Sequence, residues 1–244
     1  MDFPDLPKVK WNDYLIEQGK CLIDGNEEPM FIGKIIKMMN EGTQPRILLL
    51  ADPGMGKTWS SGRLGEKLHN ELNVLEGDFK PEYQIKGDPL DWSQSIRDDR
   101  KKIFMMPDAD SVYPSDEYHT EKNKNNRHLI YLSRRFSNIL LYDAHEMARC
   151  SKSIRTNHNI RLVSIGNGDT YKFKVKYIDR KNDSQKEEIE EKDLGIWEPD
   201  KPSKETQQRI EELDEKEKTE TVKESEDRMK IKRKKEELKA QAFG

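Results

Sequence analysis

The chain has 244 residues, of which 37% are charged, 33% are hydrophobic and 8% are aromatic. This hydrophobic fraction is low for a chain that is globular throughout, so we expect part of it to lie outside a packed core. The longest apolar run, at residues 47–51, is too short to span a membrane, and two distant cysteines, Cys21 and Cys150, exclude a disulfide scaffold. We therefore expect a cytoplasmic protein without a membrane segment.

Charge is unevenly distributed, although the net charge is only −3. Residues 121–161 hold nine Lys/Arg against three Asp/Glu, which favours contact with an anionic partner. Residues 201–244 hold thirteen Lys/Arg against twelve Asp/Glu, and their apolar positions keep no heptad. We expect this tail to be solvated, helical or disordered, and available to bind another protein.

Strand patterns alternate with helical patterns through the middle of the chain, which predicts parallel βαβ units. The fold class is therefore α/β: a three-layer domain with a mostly parallel sheet over residues 30–180. Residues 1–29 are predicted to pack on this core, and residues 181–244 to form a charged linker and tail. Buried strands are predicted at 46–51, 103–106, 138–142 and 160–165, a short strand at 83–85, an edge strand at 171–178, and helices at 29–39, 59–72, 91–100, 128–136 and 144–153.

The most specific motif lies between the strand at 46–51 and the next helix. It reads Ala51-Asp-Pro-Gly-Met-Gly-Lys-Thr58, the pattern G-x-x-x-x-G-K-S/T with alanine in place of the first glycine. Its glycines allow successive backbone N–H groups to face one anion at a helix N-terminus. The motif predicts that Lys57 binds ATP phosphates and that Thr58 holds Mg²⁺. The predicted nucleotide-binding residues are Asp52, Pro53, Gly54, Met55, Gly56, Lys57, Thr58 and Trp59.

Hydrolysis requires a further carboxylate, for which residues 103–110, Ile-Phe-Met-Met-Pro-Asp-Ala-Asp, are the candidate segment. Two alignments with the usual acid pair are open. In one, Pro107 replaces the magnesium aspartate and Asp108 is catalytic. In the other, Asp108 holds magnesium and Ala109 lacks the catalytic carboxylate. Asp108 is the predicted essential acid and metal ligand, Asp110 is the second candidate, and two aspartates that only cap a turn are the alternative.

Further polar residues flank the strand at 138–142. In a RecA-like arrangement this strand lies between the loop strand and the acid strand, so His145 or Asp143 at its tip would face the γ-phosphate or the attacking water. A helix cap by Asp143 is the alternative. Arg135 and Arg155 are predicted to contact phosphate oxygens, one as an arginine finger toward a neighbouring subunit; a solvated basic face is the alternative.

The order of these motifs over residues 28–180 resembles the HerA/FtsK-type and zonular-occludens-toxin-like ATPases carried by archaea, their viruses and plasmids. Pro107-Asp108 stands where those proteins commonly have Asp-Glu, and His145 stands where they commonly have glutamine. The resemblance implies a RecA-like P-loop NTPase domain that assembles into a homo-oligomeric ring. It also implies that ATP drives movement of double-stranded DNA in genome packaging, conjugation or segregation, in the host cytoplasm for a viral member.

Three functions compete on the sequence alone. A DNA-translocating ATPase fits the motif order and the basic block at 121–161. A nucleotide-binding scaffold or regulatory protein with weak or no hydrolysis fits the atypical acid pair. A small-molecule kinase would need an arginine-rich lid, and the polar stretch at 111–126 has only Arg127 nearby. The first is preferred, and no helix-turn-helix or zinc finger predicts base recognition.

Overall fold

A computed structural model describes residues 6–115, 124, 133–166, 171–183, 186–216, 218–219 and 229–230. Helices flank a six-stranded, mostly parallel sheet, which confirms the predicted α/β class. The predicted helix at 128–136, the polar stretch at 111–126 and the end of the tail lie largely outside the described residues. Within the described ranges, no helix combines the length and the apolar character that a membrane span needs.

The first half of the chain contains a small antiparallel sheet, three longer helices and the first two strands of the main sheet. Its elements are β1 (Val9–Lys10), α1 (Asp13–Glu17), β2 (Lys20–Ile23), β3 (Asn26–Pro29), α2 (Met30–Asn40), β4 (Arg46–Leu50), α3 (Lys57–Glu66), a π-helical continuation of α3 (Lys67–Glu71), α4 (Pro81–Gln84), α5 (Pro89–Asp98), β5 (Ile103–Met106) and α6 (Ala109–Val112).

The second half supplies the remaining strands of the main sheet and a C-terminal helix. Its elements are a 3₁₀ turn (Arg134–Phe136), β6 (Ile139–Ala144), a second 3₁₀ turn (Met147–Arg149), α7 (Lys152–Asn157), β7 (Ile160–Ser164), β8 (Phe173–Asp183), β9 (Lys186–Trp197) and α8 at residues 204–216.

The main sheet has the order β5-β6-β4-β7-β8-β9. The first four strands are parallel, and β8 and β9 are antiparallel to their neighbours. Strand β6 thus lies between β4 and β5, as the sequence predicts. The carboxyl ends of these three strands meet at one edge of the sheet, where α/β proteins place their ligands.

Alternate residues of β4 face two separate hydrophobic cores. Ile47 and Leu49 are buried in a cluster with α2 and α3, whereas Leu48 is buried in a second cluster with Trp92 and Ile96 of α5. Since both faces of the strand are covered, both must be apolar, which explains its uninterrupted run of aliphatic residues. Two helical layers therefore hold the parallel strands in position.

The N-terminal strands β1, β2 and β3 form a separate three-stranded sheet against α2. Cys21 and Ile23 of β2 are buried in the same cluster as the inner face of α2. A Cβ at Gly33 of α2 would lie only 2.6 Å from Sγ of Cys21. Glycine at this position therefore allows the helix to approach the strand closely.

The main sheet extends past residue 180, where the sequence predicts a linker. Residues 186–197 form β9, which covers the predicted edge strand β8. The two strands pair along their length, and Leu194 and Trp197 of β9 are buried. Exposed ion pairs accompany this pairing: Lys174 pairs with Asp193 at 2.8 Å, and Lys176 pairs with Glu191 at 2.7 Å. The acidic composition that suggested a linker thus matches the basic face of β8.

Two short elements also differ from the sequence predictions. The strand expected at 83–85 is helix α4, and only Ile85 bridges to Met105 of β5. Pro81 at the first turn favours the helix, because proline has a helical φ and needs no N–H donor there. The helix expected at 144–153 is divided into the Met147–Arg149 turn and α7, since Ala144 still belongs to β6.

Helix α8 packs across α3, although the sequence predicts a solvated tail. Thr206 and Ile210 are buried. A Cβ at Gly62 of α3 would lie 2.6 Å from Cγ2 of Thr206, so glycine permits the close crossing. The buried carboxylate of Glu66 accepts hydrogen bonds from the Ser203 N–H at 3.0 Å and from the Thr206 hydroxyl at 2.5 Å. These bonds connect the start of α8 to α3.

Replacement of Glu66 by alanine is expected to lower the free energy of unfolding by about 2 kcal/mol, because the Ser203 N–H and the Thr206 hydroxyl lose a charged acceptor. Urea unfolding followed by circular dichroism measures this change. Glu82→Ala removes an exposed carboxylate of α4 and is expected to change stability by less than about 0.5 kcal/mol. If Glu66→Ala and Glu82→Ala have the same free energy of unfolding, the attachment of α8 to α3 does not depend on Glu66.

Candidate functional site

The loop between β4 and α3, here called the glycine loop (residues 51–56), lies at the carboxyl edge of the sheet. Gly54 and Gly56 have φ values of +80° and +66°, in the left-handed region that favours glycine. Gly56 precedes the first residue of α3, Lys57. The loop therefore ends at the N-terminus of a ten-residue helix, where free N–H groups and the helix dipole favour an anion.

Tyr171 covers the glycine loop, a contact that the sequence analysis missed. A Cβ at position 56 would overlap the ring of Tyr171, so glycine is required there by space as well as by backbone conformation. Tyr171 is far from the loop in sequence, just before β8, and was predicted only as part of an alternating strand. Trp59 at the start of α3 lies 5.8 Å from the ammonium of Lys201, measured to the ring centroid.

Lys57 is the cation at the centre of the site. Its side chain is 10% exposed and forms an ion pair with Asp108, and its Nζ lies 3.8 Å from Oδ1 of Asp143. Burial lowers the pKa of Lys57, but the charges of Asp143 and Asp108 outweigh burial and the pKa is raised overall. Lys57 is therefore an ammonium ion held at the helix N-terminus by carboxylates from β6 and from the segment after β5.

Asp143 of β6 is completely buried beside Lys57. Its Oδ1 accepts the N–H of Asp108 at 2.8 Å, and its Oδ2 has no hydrogen-bond partner among the described residues. Burial raises the pKa of Asp143, and the nearby charge of Asp108 raises it further, whereas Lys57 and the Thr58 hydroxyl lower it. Asp143 caps no described helix, so the structure favours the predicted position at the strand tip over the helix cap.

Asp108 and Asp110 lie on the other side of this edge, around the start of α6. Asp108 has a φ of +46°, which orders the turn so that its backbone N–H reaches Asp143. Asp110 is buried, and its Oδ2 accepts the N–H groups of His145 and Glu146 at 3.0 and 3.4 Å. The structure thus brings both aspartates of the ambiguous segment to the same site.

His145 completes this group of side chains. Its Nδ1 lies 3.5 Å from Oδ2 of Asp110 and 3.8 Å from Oδ1 of Asp108. One ligand atom from each of these three residues lies within 4.8 Å of the others. Oxygen and imidazole nitrogen atoms at this spacing are able to hold a divalent cation.

The two arginines predicted to contact phosphate, Arg135 and Arg155, make no described contact with the glycine loop. Arg135 is exposed in the turn before β6, where the carbonyl of Phe136 accepts the N–H of Lys101 just before β5. The carbonyl of Arg155 accepts a hydrogen bond from Arg180 at 3.1 Å, close to the beginning of β7. Arg135 and the carbonyl of Arg155 are therefore near the amino ends of the strands. Burial and the charges of Asp110 and Asp143 raise the pKa of Cys150, whereas the charge of Arg155 lowers it. A role toward a neighbouring subunit stays a prediction for each.

Helix α8 carries an acid, Asp214, whose charge interacts with charges of the site. Burial raises the pKa of Asp214, the charge of Asp108 raises it further, and the charge of Lys57 lowers it. Leu213 packs 3.6 Å from the position that a Cβ of Gly87 would take, which places this end of α8 beside the segment before α5. The sequence alone does not predict that Asp214 interacts with Asp108 and Lys57, because Asp214 lies in a segment that is charged throughout.

Comparison with known proteins gives two similar solved structures. The first is the N-terminal domain of zonular occludens toxin from Neisseria meningitidis, at 13% identity and a TM-score of 0.40, over 55% of this chain and 82% of that chain. The second is a chain of the E. coli MS115-1 HORMA:CdnC:Trip13 complex, at 13% identity and a TM-score of 0.37, over 53% and 51%. No protein-family model and no curated protein matches the chain.

The first of these structures belongs to one of the groups that the motif order resembles. Identity and TM-score are low in both cases, so the interpretation of the site depends on its own residues. The source organisms of both are bacteria, and the archaeal or viral origin implied by the resemblance stays a prediction.

The stability of the protein is expected to depend on the ionisation of Asp143. Because its pKa is raised above the ordinary 3.8, the folded state retains a proton that the unfolded state has released. The free energy of unfolding therefore falls as the pH rises from about 4 to about 7, and above that range Asp143 is a carboxylate in the folded state as well. Asp143→Asn mimics the protonated carboxyl, so we expect it to reduce this fall by about 1 kcal/mol or more.

Urea unfolding at a series of pH values measures this difference. Asp52→Asn changes an exposed aspartate of the glycine loop and serves as the control, with the slope of the wild type expected. Parallel pH profiles for Asp143→Asn and the wild type would contradict a protonated Asp143 in the folded state.

Proposed function

We propose that the chain is a P-loop ATPase with a RecA-like core, which binds ATP at the glycine loop. The observation that carries this proposal is Lys57: a buried ammonium at a helix N-terminus, between Asp108 and Asp143. The triphosphate is expected to take over contacts with Lys57 and with the loop N–H groups. The strand order supports the proposal, since it puts β6 between the loop strand and the acid strand.

The donor set fits Mg²⁺, the usual partner of ATP. Oδ2 of Asp143 is buried without a hydrogen-bond partner among the described residues, and the Thr58 hydroxyl lies beside this carboxyl. Thr58, Asp108 and Asp143 would hold the ion, which neutralises charge that develops on the phosphates. Asp108 is the proposed essential carboxylate, and His145 is placed to orient a water molecule or to contact phosphate.

We further propose that hydrolysis moves double-stranded DNA, in a homo-oligomeric ring. The basic block at 121–161 supports this partner, because sequence-independent DNA binding relies on Lys and Arg at phosphates. In the described part of the block, Arg149 and Lys152 are exposed on the two sides of the start of α7 in sequence. Arg135 and Arg155 are the candidates for contact with a neighbouring subunit.

The test is steady-state ATP hydrolysis by the full chain, with and without double-stranded DNA, at low and at high salt. A motor is expected to hydrolyse ATP faster with DNA and to lose this stimulation at high salt. Light scattering of the same sample, with ATP and Mg²⁺ present, measures whether a ring forms. Absence of ATP binding in calorimetry would overturn the proposal as a whole.

A second candidate is a nucleotide-binding scaffold. It is favoured by Ala109, which stands beside Asp108 where an acid pair would have its second carboxylate. This candidate predicts ATP binding without turnover, whether or not DNA is present. The same two measurements, binding and hydrolysis, therefore separate the two functions.

A further inference from the structure

Asp108, Asp110 and His145 form a compact group of ligand atoms that is complete without nucleotide, although Asp108 and His145 also have proposed roles toward ATP. In a tetrahedral site with metal–ligand distances of about 2.1 Å, ligand atoms lie about 3.4 Å apart. The observed separations from Nδ1 of His145, 3.5 Å to Asp110 and 3.8 Å to Asp108, are close to this value. The three ligand atoms all lie within 4.8 Å of one another, so side-chain rotations are enough to place them around one ion.

A second observation, besides the distances, indicates that Asp110 is a metal ligand. The residue is 5% exposed. Its Oδ2, the oxygen 3.5 Å from Nδ1 of His145, is held by two backbone N–H groups, and the other oxygen of the same carboxyl, Oδ1, is buried without a hydrogen-bond partner among the described residues. An unpaired buried carboxylate oxygen is costly unless a cation or another donor reaches it. The two backbone bonds orient the carboxyl, as secondary contacts commonly do around metal ligands.

The chemistry of the ligands indicates the class of ion. A site with an imidazole nitrogen binds first-row transition ions with an affinity that is lowest for Mn²⁺ and higher for Co²⁺, whereas Mg²⁺ prefers oxygen ligands and retained water. The side chain of His145 is 28% exposed and that of Asp108 is 19% exposed, so an ion has access from solvent. The nearby ammonium of Lys57 opposes the ion, because it already pairs with Asp108.

We propose that Asp108, Asp110 and His145 bind one divalent transition-metal ion, in the absence of nucleotide and separately from the magnesium that accompanies ATP. The site binds Mn²⁺ or Co²⁺ more tightly than Mg²⁺, because His145 contributes nitrogen. Asp108 is shared between this ion and Lys57, so the metal site and the glycine loop are electrostatically coupled.

The experiment uses metal alone. The full chain, without nucleotide, is titrated with Mn²⁺ and followed by electron paramagnetic resonance of the free ion, and Co²⁺ binding is followed by its visible absorption. We expect the wild type to bind one ion per chain. His145→Ala and Asp110→Asn are expected to lose at least about tenfold in metal affinity, the loss that changes at metal sites commonly cause. Excess Mg²⁺ is expected to compete poorly.

Two variants separate this site from the nucleotide site. Glu146→Gln is the matched control, because Glu146 pairs with Arg149 at 3.3 Å and contributes no ligand atom; its metal affinity should equal that of the wild type. Lys57→Met should lose ATP binding but bind Mn²⁺ at least as tightly, since the competing ammonium is gone. Circular dichroism spectra and thermal midpoints establish that each variant is folded.

The proposal is overturned if the wild type shows no saturable Mn²⁺ or Co²⁺ binding, or if folded His145→Ala binds as the wild type does. It is also overturned if Mg²⁺ competes as well as Mn²⁺. Failure of ATP to bind, with metal binding intact, would instead contradict only the nucleotide proposal.

Discussion

Replacement of Lys57 by methionine is expected to weaken ATP binding by at least about 100-fold, equivalent to about 2.7 kcal/mol. Methionine keeps most of the side-chain volume and removes the ammonium. The triphosphate then loses the buried ammonium of Lys57 and instead meets the uncompensated charges of Asp108 and Asp143. Isothermal titration calorimetry with ATP and Mg²⁺ measures the loss.

Lys37→Met is the control for removal of a lysine. Lys37 is exposed on α2 and pairs with Glu41 at 3.8 Å, an exposed ion pair of little energetic value. We expect its ATP affinity to equal that of the wild type. If Lys57→Met and Lys37→Met bind ATP equally well, the nucleotide does not bind at the glycine loop.

The second large effect is expected for Asp108→Asn, which should slow ATP hydrolysis by at least about 100-fold while changing ATP affinity by less than about 10-fold. Asparagine tolerates the left-handed backbone of position 108, with its φ of +46°, and keeps an oxygen toward Lys57. The change therefore removes the charge with little strain. Steady-state hydrolysis and calorimetry on the same preparation measure the two quantities.

Parallel variants decide which carboxylate is essential. Asp98→Asn, at an exposed position of α5, is expected to hydrolyse ATP as the wild type does. Asp110→Asn and Asp143→Asn test the other two acids of the site. Rapid hydrolysis by Asp108→Asn, together with loss of activity in Asp143→Asn, would assign the essential role to the buried carboxylate of β6.

Much of the central domain is predictable from local patterns. The aliphatic run at 46–51 and the apolar runs at 103–106 and 138–142 correspond to strands β4, β5 and β6, because strands buried on both faces have a continuous apolar sequence. The glycines at 54 and 56 have the positive φ values expected for a loop that turns sharply into a helix. These features depend on neighbours in the sequence.

Elements rich in charged residues were predicted less well. Residues 186–197 and 204–216 are polar and charged, so composition alone suggested a linker and a tail. Strand β9 pairs with β8 and buries Trp197, whose ring centroid lies 5.4 Å from that of Phe31. Helix α8 is stabilised by a buried face on α3. Both depend on partners that are distant in sequence.

The sequence by itself determined the succession of buried strands, the glycine loop with Lys57 at the start of its helix, and the candidate acids Asp108 and Asp110. Only the tertiary structure decided that Asp143 is buried beside Lys57 and that Tyr171 covers Gly56. The physical reason is that hydrophobic periodicity and turn geometry act over a few residues. Ion pairing and burial, in contrast, join side chains that the sheet order brings together.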